Sequence, residues 1–425
     1  MSLVDRSSRD PRRRIALAAG LAVVILAAAG CDTIFGPGDP VPATTITELP
    51  RELTGPEVEA IGASNAFGFD LLREMLSDEP DGSVFLSPFS ASMALGMTLN
   101  GAAGVTYDAM RSTLRFDGLS EDEINESYRE LLRLLVDLDP SVELAVGNAV
   151  WYREVRTLRQ SFRERVEAYF DARVQGLDFS DPAAADVINA WVRDATRNRI
   201  DKIVDPPIPG NVEAFLMNAV YFKAGWMEPF DPEQTREAPF HLPDGSASPV
   251  ELMTRTDTLP YHGTDRFDAV DLPYAGGAYS MIVVVPRAGT TVHDLASEMD
   301  RTAWDALVTD LRTTRVKVSL PRFELEWEKV LNDVLKALGM EVAFDGGADF
   351  SRMFQDVGVW SDEVKQKSFV RVDEEGTEAA AVTNVVMVSS MPPEVRADRP
   401  FLFAIRERLS GTILFLGVIL EAPRL

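Results

Sequence analysis

The feature that most constrains this 425-residue chain is a stretch near its C-terminal end with the composition of a strand and the flanks of a loop. After the strand-like stretch Phe369–Val372 the chain reads Asp373-Glu374-Glu375-Gly376-Thr377-Glu378-Ala379-Ala380-Ala381-Val382-Thr383-Asn384-Val385-Val386-Met387-Val388-Ser389-Ser390-Met391-Pro392-Pro393. Successive side chains of a strand point to opposite faces. Taken with period two, one face is Thr377, Ala379, Ala381, Thr383, Val385 and Met387, uncharged throughout and small at its start. The other is Glu378, Ala380, Val382, Asn384, Val386 and Val388. Such alternation suits a central strand, yet acidic residues precede it and a proline pair follows, as turns are punctuated. The fold must therefore hold a segment fit for a sheet that local signals set outside one.

Composition narrows the function classes. Lys+Arg 42 against Asp+Glu 67 gives a net charge of -25, a surface that repels phosphate backbones and argues against a nucleic-acid partner. Hydrophobic residues at 46% and charged residues at 26% are those of a folded globular chain. The one cysteine, Cys31, allows no intramolecular disulfide, and His241, His262 and His293 supply a zinc site poorly, so neither metal nor cofactor is expected. No Gly-rich phosphate loop, His-Glu-x-x-His or Gly-x-Ser-x-Gly is present, which argues against an enzyme. The histidines sit in polar, turn-like sequence and read as solvated loop residues, and Asp373, Glu374 and Glu375 read as a solvated acidic turn.

Arg12, Arg13 and Arg14 precede an apolar run from Ile15 to Ala29 that ends at Ala28-Ala29-Gly30-Cys31. A spanning helix needs about 20 apolar residues, so this shorter run reads as an export signal. The stretch resembles that of a bacterial lipoprotein: residues 1–30 are the expected signal peptide, and Cys31 becomes the lipid-modified first residue. An uncleaved anchor is the alternative. The expected location is extracytoplasmic, anchored to a membrane or cell surface through the lipid. Residues 31–56, with Pro37, Pro40, Pro42, Pro50 and Pro56 and no apolar periodicity, read as a tether. No second linker or repeat appears beyond, so residues 57–425 are expected to form one large domain.

Within it, Phe67, Leu71, Leu72, Met75 and Leu76 fall on one helical stripe, and Val187, Ile188, Trp191, Val192 and Ala195 on another. Val316, Val318 and Leu320 alternate with polar residues as in a half-buried strand, and Met281 to Val285 is a continuous apolar run. Phe401 to Ile405 and Thr412 to Leu420 flank Leu409-Ser410-Gly411, a hairpin signal.

Glu374-Glu375-Gly376-Thr377-Glu378-Ala379-Ala380-Ala381 resembles the hinge of an inhibitory serpin's reactive-centre loop. Val84-Phe85-Leu86-Ser87-Pro88-Phe89-Ser90, the run Asn218 to Phe230, and Asp398-Arg399-Pro400-Phe401-Leu402-Phe403 are similar to further serpin motifs in family order. The resemblance implies an α+β fold of three sheets and eight or nine helices, with an exposed reactive-centre loop at about residues 374–393. It also implies a single-use, monomeric inhibitor of serine proteases: a protease cuts the loop, and the loop inserts into the central sheet while the acyl-enzyme persists. Serpin loop insertion is a known instance of strand addition and of release of stored strain. Fourteen steps from Gly376 to Ser390, at roughly 3.3 Å each, span about 46 Å.

Counted as in many inhibitory serpins, the scissile bond falls between Ser390 and Met391, with cleavage after Ser389, Val388 or Met387 as alternatives. All are small or apolar, which points to an elastase- or subtilisin-like target. By the same resemblance Ser87, Ser90 and Asn218 are shutter residues, and Gln366 replaces the histidine often found with them. Glu374 and Arg322 form the expected ion pair at the breach, near Trp226. A non-inhibitory serpin serving as a surface binding or structural protein is the alternative reading.

Overall fold

The computed structural model describes residues 45–355, 363–376 and 392–423, among which lie nine α-helices and fourteen strands. The first helix, α1 (Gly55–Asp78), starts where local chemistry places it. The Thr54 side chain accepts from the Glu57 amide while the Glu57 carboxylate accepts from the Thr54 amide, a reciprocal cap. Its predicted stripe from Phe67 to Leu76 is buried. α2 (Pro88–Leu99) is buried on every side, as its uniformly small and apolar sequence requires. The other helices are α3 (Gly104–Thr113), α4 (Glu121–Asp137), α5 (Gln160–Phe170), α6 (Ala183–Ala195), α7 (Val292–Glu298), α8 (Arg301–Asp310) and α9 (Asn332–Leu335).

The strands, in chain order, are β1 (Val84–Leu86), β2 (Val142–Arg153), β3 (Arg173–Leu177), β4 (Ala214–Ala224), β5 (Arg236–His241), β6 (Ala247–Gly263) and β7 (Phe267–Pro273), followed by β8 (Tyr279–Pro286), β9 (Arg312–Pro321), β10 (Phe323–Val330), β11 (Glu363–Val372), β12 (Glu394–Arg396), β13 (Phe401–Glu407) and β14 (Ile413–Ile419). One sheet has five strands in the order β10-β11-β4-β2-β3. At its centre β11 and β4 run parallel, from Glu363 opposite Phe215 to Phe369 opposite Tyr221. The other sheet has the order β1-β14-β13-β8-β7-β6-β9-β12, with β5 added on β6. Three sheets were expected, and two of them are continuous here. The 17-residue β6 pairs with β5 at its start, with β9 along Leu252–Tyr261 and with β7 at Tyr261–Gly263, so one strand serves both.

β8 is buried throughout, and Val316, Val318 and Leu320 of β9 point inward as their alternation predicts. β13 and β14 form the expected hairpin, with Gly411 at φ +79°, a backbone region costly for other residues. α6 buries its predicted stripe with one exception: Ile188 and Val192 are buried and Trp191 and Ala195 pack against the same cluster, while Val187 is 37% exposed. The helix packs on the five-stranded sheet, in a separate cluster with Trp151, Phe215 and Met217 that Ala184 and Ala185 also join.

Two further expectations change. The tether does not extend to residue 56: the Ile46 amide donates to the Gly276 carbonyl, and Ile46, Leu49 and Leu53 pack against the core, so residues 45–56 join the domain. Apolar side chains at 46, 49 and 53 override the proline-rich composition. The histidines do not sit in loops: His241 ends β5, His262 lies in β6, and His293 lies in α7 with Nε2 2.8 Å from the Pro80 carbonyl oxygen.

Candidate functional site

The site stands at the head of the parallel pair. β11 ends at Val372, and Asp373–Gly376 turns the chain back. The Asp373 amide donates to the Gly376 carbonyl at 3.0 Å and the Gly376 amide to the Asp373 carbonyl at 3.2 Å. Gly376 has φ +118°, and a Cβ there would lie 2.4 Å from the Trp226 nitrogen and 2.6 Å from the Ala224 oxygen, so no larger residue fits. It makes an antiparallel bridge to Gly225, the residue directly after β4.

The segment after β4 grips this turn through its carbonyls. The Trp226 amide donates to Glu375 O at 2.9 Å and the Phe230 amide to Glu374 O at 2.8 Å. The Trp226 indole Nε1 donates to Asp373 O at 3.0 Å, with its ring stacked on Tyr274 at 4.6 Å between centroids and 6° between planes. Trp226 is thus core and clasp at once. Tyr274 gave no signal in the sequence, because its role depends on a ring brought beside Trp226 by the second sheet.

The Glu374 carboxylate closes the clasp. Arg322 Nε donates to its two oxygens at 2.7 and 2.8 Å, Arg322 Nη2 adds a third contact, and the Thr235 hydroxyl donates to Oε1. The Glu374 side chain is 6% exposed and that of Arg322 28%, so this is not an ordinary exposed ion pair. Burial by itself raises the Glu374 carboxyl, but the hydrogen bonds from Arg322 and Thr235 outweigh it and hold the group below the usual carboxylate range. The hydrogen bonds that Arg322 donates to Glu374 in turn raise Arg322 above its ordinary value. Thr235, 139 residues from its partner, was not legible in the sequence.

Lower along the seam, the structure brings Ser87 and Gln366 together. Gln366 Oε1 accepts from the Ser87 amide at 3.1 Å while Nε2 donates to the Ser87 carbonyl at 3.0 Å, which uses both functions of a carboxamide. The contact is to the Ser87 backbone. Its hydroxyl accepts from the Ser90 amide as the cap of α2. Asn218 lies opposite Gln366 in the ladder, but its Nδ2 donates to Asn148 Oδ1 at 3.0 Å, and Asn148 donates to Phe170 O at 3.0 Å. Ser90 is brought into the cluster without engaging its own hydroxyl: among the described residues Ser90 Oγ and Asn218 Oδ1 are buried with no hydrogen-bond partner.

The hinge candidates Thr377, Glu378, Ala379, Ala380 and Ala381, the scissile-bond candidates Met387, Val388, Ser389, Ser390 and Met391, and the lipidation candidate Cys31 lie outside the described residues. Among the described residues no group of three metal-ligating side chains gathers, and no helix is long and apolar enough to cross a membrane.

The family model for "Serpin (serine protease inhibitor)" matches residues 62–422. Iripin-1 of Ixodes ricinus is 33% identical over 366 residues, covering 84% of this chain and 93% of that protein. A serpin-like protein of Thermococcus kodakarensis is 35% identical over 374 residues, 85% of this chain and 86% of that protein. The native-state crystal structure of the thermophilic serpin tengpin superposes with a TM-score of 0.79 at 28% identity, covering 90% of this chain and 97% of that one. With the motifs, the sheet order and these likenesses in agreement, the chain belongs to the serpin family.

Proposed function

We propose that this serpin is a single-use inhibitor of serine endopeptidases, tethered outside the cytoplasm by a lipid on Cys31 and acting as a monomer. One observation carries the reading. The turn at Asp373–Gly376 already makes an antiparallel bridge at the head of a parallel strand pair, aimed so that a strand continuing from it would run between β4 and β11.

The chemistry follows from that geometry. The protease serine attacks the carbonyl of Ser390, the Met391 amine leaves, and the protease is held as an ester on the loop. The freed loop enters the seam and carries the ester with it. Water then fails to complete hydrolysis, because a triad and oxyanion hole displaced by about an ångström lose orders of magnitude in rate. The uncharged, small residues at the loop's candidate cleavage positions favour an elastase- or subtilisin-like target.

Mixing the protein with elastase, subtilisin and trypsin and resolving the products under denaturing conditions tests the reading. The expected outcome is a covalent complex with one of the first two and a released C-terminal fragment that begins at Met391 or up to three residues earlier. Thr377→Arg is expected to abolish the complex while leaving cleavage. A clipped protein that melts at the same temperature as the uncut one, with no complex under any condition, would leave only a binding scaffold.

A further inference from the structure

We propose that a cavity of about 270 Å3 beside the starts of α4 and α5 binds a small tetrahedral dianion, of the phosphate, sulfate or phosphate-monoester class. It is lined by the guanidinium-bearing residues Arg159, Arg165 and Arg352, with Ser161 and Ser351. Three arginines around one cavity run against the composition of a chain with 67 acidic and 42 basic residues. The carboxylate that meets two of them is Glu121. Arg352 Nη1 and Nη2 donate to its two oxygens at 2.7 and 2.6 Å, and Arg165 Nη1 donates to one of the same oxygens. Both oxygens of Glu121 are thereby occupied, and the four groups together retain two positive charges.

Donors remain. Among the described residues Arg159 uses only Nε, on the Ser351 carbonyl, and Arg165 uses only Nη1. Free guanidinium edges match the oxygen spacing of phosphate and sulfate and bind them in pairs. The 11-residue α5 adds to this field. Its cap residue is Arg159, with no side-chain cap, and its first backbone bond runs from Arg163 to Arg159, so the amides of Ser161 and Phe162 at the cavity wall are left for a ligand.

The neighbouring surface limits the ligand's size. Glu123, Glu126 and Glu130, further along α4, line another cavity with Glu52, Glu57 and the Arg51 that pairs with Glu57, so an extended polyanion leaving the arginines along α4 would meet mostly carboxylates. A compact ion or a monoester of a small alcohol avoids them. The site rests on α4, α5 and residues 351–352, none of which carries a hinge residue, and it does not depend on the inhibitory reading.

Calorimetric titration of the full chain with inorganic phosphate and with glycerol 3-phosphate, against sodium chloride of matched ionic strength, tests the assignment. The expected result is saturable 1:1 binding that weakens roughly tenfold or more in Arg159→Gln/Arg165→Gln, since each charge-assisted bond lost is worth at least that factor. Glu121→Gln is expected to tighten binding, because it removes the internal competitor for Arg165 and Arg352; a purely structural cluster would not respond in that direction. Heat no greater than that of chloride, an unchanged affinity in the double arginine variant, or a Glu121→Gln variant that does not bind more tightly would each overturn the site.

Discussion

Glu374→Gln isolates the charge at the turn after β11 while keeping the shape of the side chain. In the uncut protein the carboxylate accepts from Arg322 Nε at 2.7 and 2.8 Å, from Arg322 Nη2 and from the Thr235 hydroxyl. A hydrogen bond to a charged group contributes about 1.5–3 kcal/mol. The carboxamide keeps one acceptor oxygen, and Arg322 at 28% exposure recovers some water, so the net loss is about 2 kcal/mol rather than the sum of the contacts. For a unit of this size that is a fall in melting temperature of roughly 2–3 °C. The pH dependence has a definite sign. The folded carboxyl is held below its unfolded value, so its contribution is complete above about pH 4.3 and is lost as the pH falls through the lower folded value. Calorimetric melts of the uncut wild type, Glu374→Gln, Arg322→Gln and the double variant should show the gap near pH 7, its closure in acid, and strong non-additivity between the two sites. Additive losses, or a gap that persists after acidification, would refute the view that the turn is held by this ion pair.

Gly376→Ala should cost about 2 kcal/mol or more, since its Cβ meets backbone atoms of Trp226 and Ala224 at 2.4 and 2.6 Å and its φ of +118° disfavours any side chain; a melt of the uncut variant checks this, and wild-type stability would contradict the clasp geometry. Gln366→His should convert the pH-indifferent contact between Gln366 and the Ser87 backbone into a sensitive one. A neutral imidazole can still accept from the Ser87 amide, but its protonated form has only donors, so the folded state disfavours the proton and stability is lost as pH falls below about 6.5. Melts of the variant and wild type between about pH 8 and pH 5.5 should diverge only on the acid side.

How far the sequence reached depends on the range of the interactions. The caps, the α1 stripe, the buried run of β8 and the β13–β14 hairpin are decided by residues within a few positions of one another, and they stand where the local pattern puts them. On α6 only Val187 falls off the expected stripe, because the side that faces Trp151 and Phe215 of the sheet beneath it also takes in Ala184 and Ala185. The partners of Glu374 and Asn218 show the same limit. Resemblance to serpins supplied Arg322 and Trp226, but Thr235 and Asn148 are ordinary polar residues whose roles arise only when distant segments meet. The tether was misplaced by about twelve residues for a related reason: prolines signal extended chain, and extended chain can still lie against a core.

The register at the turn carries the argument about charge one step further. Gly376 pairs with Gly225 in antiparallel sense, and a ladder continued from that bridge places Thr377 opposite Ala224, Glu378 opposite Lys223, Ala379 opposite Phe222 and Ala381 opposite Val220. Residues directly opposite in an antiparallel pair share a face. On β4 the side chains of Leu216, Val220, Phe222 and Ala224 belong to the main core, while Phe215, Met217 and Ala219 face the cluster under α6. On the proposed insertion this register would set the uncharged face of the loop against the main core and its one acid against Lys223, the one residue of β4 that is not fully buried. Insertion on this register would also exchange a single parallel ladder for two antiparallel ones, because a strand that opposes β11 opposes β4 as well. Charge should then be tolerated by face and not by distance from the turn. On the proposed mechanism Thr377→Arg would bury a guanidinium against Ala224 at a cost of several kcal/mol, and the expected outcome is cleavage without a trapped complex. Glu378→Gln, one residue further into the seam, gives up only a partly exposed cross-strand pair of about 0.2–1 kcal/mol and keeps most of the complex. The ratio of trapped to cleaved product for the two variants measures the difference, and an equal loss in both would show that the loop enters on the other register or not at all.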